Sequence, residues 1–292
     1  MPEGDTIYRA ARAMAKALEG KTITGFDTGF AHLARVNDDA PLAGRTVEKV
    51  EAVGKWMLIR LSGDLILASH MLMSGSWHIY RTGEKWWMAR SKMRAVVEVE
   101  GFQAVLFNAQ IAEFHTARSL DRHPQIPKLG PDILGEGFTV EQGVAAIGEY
   151  ARQDPEAELG VVLLNQRVMA GLGNVYKSEV AFAAGANPFR PISTLTRKEM
   201  EAMVEVSQRY MKANVSVAAE GKRRTTNSMD REERLWVYGR RGEECRRCGT
   251  LIQMRRQGEQ ARSTYWCPTC QPWAEAPVGN ARVPRKRHRT TC

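Results

Sequence analysis

Apolar positions along the chain change their spacing three times. Over residues 5–19 they follow a helical period: Ile7, Ala11, Met14 and Leu18 recur every three or four residues, Asp5 offers an N-cap, and Gly20 ends the run. From residue 22 to about 114 the pattern turns into short alternating or wholly apolar runs separated by Gly and Asp. Examples are 46–53, 56–61 and 95–99, with a turn at Ser62, Gly63 and Asp64. This predicts an antiparallel β domain. Residues 123–134 hold prolines and a glycine and read as a linker. Helical periodicity then returns over 140–149, 160–168, 177–184 and 196–213. The stretch 219–230 is polar and basic (Lys222, Arg223, Arg224) and reads as mobile. Residues 272–292, with the run Arg285, Lys286, Arg287, His288 and Arg289, read as a disordered basic arm. The order of elements predicts a multi-domain α+β protein.

Composition narrows this. A chain of 292 residues with 43% hydrophobic content accommodates two domains and a small module. It lacks an apolar run of about 18 residues and a basic segment followed by an apolar stretch at the N-terminus. No membrane span and no signal peptide are therefore expected, and a cytosolic, reducing compartment follows. The net charge of +9 points to a polyanionic partner.

Four cysteines sharpen the partner. Cys245, Cys248, Cys267 and Cys270 form two CxxC pairs 18 residues apart, with turn and strand material between them, including Gly249, 251–254 and Gly258. That spacing fits a zinc ribbon holding one Zn2+. Four protein ligands leave no open position for water, so the zinc is expected to be structural. Two disulfides or four unrelated thiols are the alternatives, and a disulfide framework suits small secreted chains instead. Cys292, the last residue, reads as a free exposed thiol.

The other chemistry-bearing feature is the start, Met1, Pro2, Glu3, Gly4. Methionine is normally removed before proline, which would leave a secondary amine. An α-amino group titrates near about 7.7–8, so a neutral, nucleophilic fraction exists at neutral pH. The N-terminal end of the following helix disfavours an ammonium, and Glu3 could shuttle protons. Pro-Glu is also an ordinary helix start. The segment 170–176, with Gly171, Gly173 and Asn174, joins two apolar helical runs, and its backbone amides could approach a phosphate.

With these features assembled, the chain resembles the formamidopyrimidine-DNA glycosylase and endonuclease VIII family over nearly its whole length to Gln271. The resemblance rests on MPEG, VGKWML around Lys55, SHMLMSG from Ser69, HPQIPKLGPDIL from His123, AGLGNVYKSEV from Ala170, and CRRCG with RSTYWCPTCQ. It implies an N-terminal helix plus β-sandwich catalytic domain (1–122), a linker (123–138), a helical domain with a helix, two-turns, helix motif (139–230), a zinc-ribbon finger (231–271) and the tail. It implies a bifunctional DNA glycosylase/AP lyase, a monomer working on double-stranded DNA with oxidised bases or abasic sites in the bacterial nucleoid. Pro2 would attack C1′ of the damaged nucleotide and Glu3 would serve as acid and base. Lys55 and Arg262 would hold phosphate and assist elimination, and Asn174 would grip the backbone. Leu72 and Met73, following His70, would fill the gap left by a flipped nucleotide; packing at a strand end is the other reading of these two. Lys128 would contact DNA from the linker. Such chemistry requires neither a redox cofactor nor a catalytic metal.

Some positions depart from the family pattern. Residues 108–115 (Asn108 to His115) lack the Arg-Phe element of 8-oxoguanine-preferring relatives, which favours the endonuclease VIII branch and oxidised pyrimidines. MPEGDT and VYGRRG look most like an actinobacterial subgroup. Thr6, Leu72 and Asn165 stand where relatives carry glutamate, glutamine and aspartate. A non-catalytic damaged-DNA-binding protein on the same scaffold is the alternative; a zinc-ribbon transcriptional regulator would leave the MPEG start unexplained.

Overall fold

The computed structural model describes residues 2–216 and 222–273. The basic run 285–289 and Cys292 therefore lie outside the described residues, as do Met1 and residues 219–221. Chain order begins with α1 (Gly4–Leu18), β1 (Ile23–Thr28), α2 (Ala31–Asp39) and β2 (Val47–Val53). Then come β3 (Trp56–Leu61), β4 (Leu65–His70), β5 (Ser76–Arg81), β6 (Met93–Val99), β7 (Phe102–Phe107) and β8 (Ile111–His115). The second half contributes α3 (Ala117–Leu120), α4 (Val140–Gln153), α5 (Leu159–Leu164), α6 (Asn174–Ala183), α7 (Arg197–Ser216), β9 (Gln253–Gln257) and β10 (Arg262–Trp266).

The N-terminal strands form two antiparallel four-stranded sheets, ordered β1-β6-β7-β5 and β2-β3-β4-β8. Their inward residues share one core with the apolar face of α1: Ile7, Met14 and Leu18 meet Met57, Ile59 and Leu67 of one sheet and Val97 and Leu106 of the other. Burying alternate strand residues against a partner sheet is what makes each sheet stable. Two local expectations fail here. Asp5 is not the N-cap, since the helix starts at Gly4 with Glu3 at the cap position. Helix α2 falls inside the segment read as all strand. Leu33 is its single buried side chain, so no apolar stripe marks it in the sequence.

A second core joins α4, α5, α6 and α7 through Ile147, Leu163, Tyr176, Val180, Met203 and Met211. The ribbon hairpin β9–β10 has a third, in which Phe182 of α6 packs with Val237, Ile252 and Cys267. The linker is pinned at its start. Nδ1 of His123 accepts the amides of Gln125 and Ile126, which fixes the ring proton on Nε2, where Glu113 lies 3.6 Å away. His115 Nε2 lies 3.1 Å from the same Glu113 carboxylate, so the three side chains cluster where the linker begins.

Candidate active site

The N-terminus is built into the second half of the molecule by two glycines. Gly171 has φ +105°, and its carbonyl accepts the Gly4 amide at 2.9 Å. A β carbon on Gly173 would stand 2.3 Å from Cδ of Glu3, so only glycine leaves room for that side chain. The fully buried Glu3 carboxylate accepts the amides of Val175 (2.8 Å) and Tyr176 (3.4 Å), in the first turn of α6. The anion at this helix N-terminus is thus a side chain of the protein. The glycine pair seats the chain start, where the sequence suggested an open approach for phosphate. Pro2 lies half-buried directly before Glu3.

Arg223 closes this region from behind. It donates two hydrogen bonds to Asp5, at 2.6 and 3.0 Å, lies 3.6 Å from Glu3, and stacks 4.7 Å from the centre of the Tyr176 ring. Tyr176 itself donates to Asp5 at 3.1 Å. Burial would raise the Asp5 carboxyl, but Arg223 outweighs it and holds Asp5 below its usual value. Arg224 donates to the carbonyls of Asp230 and Ser228. The described part of the segment read as mobile is therefore tied down.

Opposite stands the β2–β3 hairpin. Val53 pairs with Trp56, leaving Gly54 (φ +60°) and Lys55 as a two-residue turn. The Gly54 amide donates to Asp132 of the linker at 2.6 Å, which fixes the tip. Lys55 is thus a half-buried turn residue. Burial, with Arg262 and Arg223 adding, pushes its ammonium down to about 8, while Glu3 opposes the shift. His70, at the end of β4, is pushed to about 4 by burial and by Lys55, so its ring is neutral at pH 7. Its Nδ1 accepts the Leu72 amide at 3.0 Å. That bond holds Leu72 at φ +46°, a conformation costly for a residue with a β carbon. The turn it shapes exposes Leu72 and Met73, 36% and 60% accessible, while Met71 turns into the core. Packing at a strand end is therefore not what Leu72 and Met73 do.

The ribbon supplies the third wall. The four cysteine sulfurs lie within 4.8 Å of one another, with Cys245–Cys270 at 3.8 Å and Cys248–Cys267 at 3.4 Å. A tetrahedron with zinc–sulfur bonds of about 2.3 Å requires sulfurs about 3.8 Å apart, whereas a disulfide requires about 2.05 Å. The donor set fits one structural zinc. Arg262 opens β10, its guanidinium held by Gln260 at 3.0 and 3.1 Å and 4.0 Å from the Met73 sulfur. Asn174 donates to the Ser263 carbonyl at 2.9 Å, and its Oδ1 is buried without a partner among the described residues. Its amide thus ties α6 to the ribbon. Lys128 is exposed on a turn of the linker, between Gln125 and Leu129, which border the cleft.

The cleft between these walls has a volume of about 700 Å³ and is lined by Lys55, His70, Arg167, Lys177, Gln260 and Arg262, among others. Lys177 and Arg223 are the residues that sequence reading passed over. Asn174 and Lys177 are three apart and so share a helix face, a signal present in the sequence; Arg223 carries none, because its partner is 218 residues away.

Comparisons with known proteins agree with this assembly. The formamidopyrimidine-DNA glycosylase N-terminal domain matches residues 1–121, the H2TH domain of the same family matches 129–226, and the zinc finger found in FPG and IleRS matches 242–272. The chain is 40% identical to a DNA-(apurinic or apyrimidinic site) lyase Nei2 of Mycolicibacterium smegmatis, over 93% of this chain and 99% of the relative. It is 35% identical to a probable endonuclease 8 2 of Streptomyces coelicolor, over 98% of this chain and the whole relative. The fold matches that of Lactococcus lactis Fpg in complex with abasic-site DNA, with TM-score 0.77 and 20% identity over 93% of this chain and all of that one. The chain belongs to the formamidopyrimidine-DNA glycosylase family of DNA repair enzymes, alongside the actinobacterial endonuclease 8 proteins.

Proposed function

We propose that the protein is a bifunctional DNA glycosylase/AP lyase that removes oxidised bases, pyrimidines ahead of 8-oxoguanine, through the amine of Pro2. The observation that carries this reading is the seating of the chain start. Pro2 adjoins a fully buried carboxylate, Glu3, pinned by two amides at a helix N-terminus and close enough to act electrostatically on Lys55 and Lys177, two cations that line the cleft. A carboxylate so fixed has a defined direction for giving and taking protons.

In the reaction, the Pro2 nitrogen forms a bond to C1′ while the bond to the damaged base breaks, and the base leaves with a proton. Glu3 protonates the sugar ring oxygen, the ring opens, and an iminium joins Pro2 to C1′. Loss of a C2′ proton then expels the 3′ phosphate, and a second elimination expels the 5′ phosphate. Lys55 and Arg262 stabilise the departing phosphates electrostatically. Zinc supplies rigidity to the ribbon that carries Arg262. Leu72 and Met73, exposed on a strained turn, suit insertion into the base stack. The preference for pyrimidines is supported by the missing Arg-Phe element at 108–115.

Borohydride trapping tests the reading. Protein freed of Met1 should form a covalent adduct with duplexes carrying thymine glycol or an abasic site, and peptide mass mapping should locate it at Pro2. An adduct on any other residue, or none, would overturn it. Glu3→Gln should slow base release at least about 100-fold, within the range of general acid–base catalysis.

A further inference from the structure

Lys177 is fully buried, one turn into α6. Its Nζ donates to Thr264 Oγ1 at 2.6 Å and to the Ser263 carbonyl at 3.3 Å, both on β10 directly after Arg262. No carboxylate lies within 4 Å of it among the described residues. Both acceptors are neutral; the charges acting on it through space are Arg262, which repels it, and Glu3 and Glu158, which attract it. An ammonium taken out of water without a counter-ion is strongly unfavourable. If tying β10 to α6 were its whole task, a neutral donor would suffice, and Asn174 already supplies one to the same Ser263 carbonyl. Lys177 also forms part of the lining of the cleft, together with Lys55 and Arg262.

We propose that Lys177 belongs to the DNA-phosphate site: its missing counter-ion is a backbone phosphodiester, shared with Lys55 and Arg262. In the free protein Lys177 stands at the floor of the cleft without a counter-ion, and DNA supplies one. This accounts for a lysine at a fully buried position with only neutral partners. It rests on the reading of the cleft as the DNA site. One consequence concerns protons. Burial, with Arg262 adding, pushes Lys177 down to about 7, so part of its population is neutral at pH 7.5. An arriving phosphate favours the charged form, and binding should therefore take up a proton. Lys55 faces the same cleft and titrates near 8, so the share belonging to Lys177 is the difference between wild type and variant.

The experiment uses full-length, zinc-loaded protein and a duplex with a tetrahydrofuran abasic analogue. Lys177→Met should weaken binding at least tenfold and flatten the slope of log K against log salt by roughly 0.9. It should also reduce the proton uptake measured by calorimetry in buffers of different ionisation enthalpy, while leaving the thermal midpoint and zinc content of the free protein unchanged or higher. Lys177→Arg should keep most of the affinity. Binding of the Met variant within twofold of wild type would overturn the proposal. So would lost binding accompanied by a lowered midpoint or lost zinc, which would make Lys177 a strut of the ribbon. Failure of wild type itself to bind the duplex would refute the underlying DNA reading instead.

Discussion

Arg223, largely buried, and Lys177, fully buried, both lie within electrostatic range of Glu3, and their surroundings could hardly differ more. Arg223 is matched: Asp5 takes two of its hydrogen bonds, Glu3 lies beyond, and these carboxylates raise its basicity in spite of burial. Lys177 meets a hydroxyl and a carbonyl, and its basicity falls. A matched cation completes the protein by itself. An unmatched one is complete only when something negative arrives. The boundary between scaffold and working surface therefore runs through α6, whose Tyr176 faces Arg223 while Asn174 and Lys177 face the ribbon.

The sharpest way to break this contrast is Arg223→Ala. It would strand the buried Asp5 beside Glu3, and removing one partner of a buried pair costs about 3–5 kcal/mol. Chemical denaturation should show a loss of that size; a loss below about 1 kcal/mol would mean that Arg223 is no more structural than Lys177. Removing zinc attacks the other side. Ser263 and Thr264 are the two acceptors of Lys177, and both belong to the ribbon. Chelation should thus lower affinity for abasic-site duplex at least about thirtyfold, or about 2 kcal/mol, with melting of the residues 2–121 region unchanged.

Gly173→Ala tests the seating of Glu3 alone. The added methyl would overlap the Glu3 side chain, and overpacking of this kind costs about 1–3 kcal/mol. Strand cleavage should drop far more than duplex binding. A further test lies in the pH dependence of stability. Because Lys177 titrates near 7 when folded and near 10.4 when unfolded, the unfolded chain holds more protons between those values. Stability should rise with pH across that window, and Lys177→Met should remove this rise relative to wild type. An identical pH dependence in the two proteins would show that the lysine is not isolated after all.

How much of this was legible in the sequence follows from the range of each interaction. The zinc ligands, α1 and the strand runs rest on local spacing, and local spacing is what a sequence displays. Helix α2 escaped because one buried leucine does not make a stripe. Asp5 was misread as a cap because a carboxylate near a helix start usually is one; here its partner is 218 residues away. The glycines of 171–173 were recognisable as a tight passage, but what passes there, the chain's own beginning, depends on tertiary closure. For the site residues, the resemblance supplied Lys55, Asn174 and Arg262, whereas the charge balance around Lys177 exists only in three dimensions.

The pairing of Asp5 with Arg223 also sets a clock. The first residues of the chain find their places only against segments near positions 171–176 and 223, so the chain start stays unseated until most of the protein has been made. At ribosomal rates of roughly 5–20 residues per second, that interval is on the order of ten to forty seconds. In the proposed mechanism Met1 has to be trimmed; throughout this interval the N-terminal peptide is open to an aminopeptidase, and afterwards Glu3 is locked against α6. On the proposed mechanism, maturation of the nucleophile is thus an event of synthesis, timed by how far along the chain its partners are encoded.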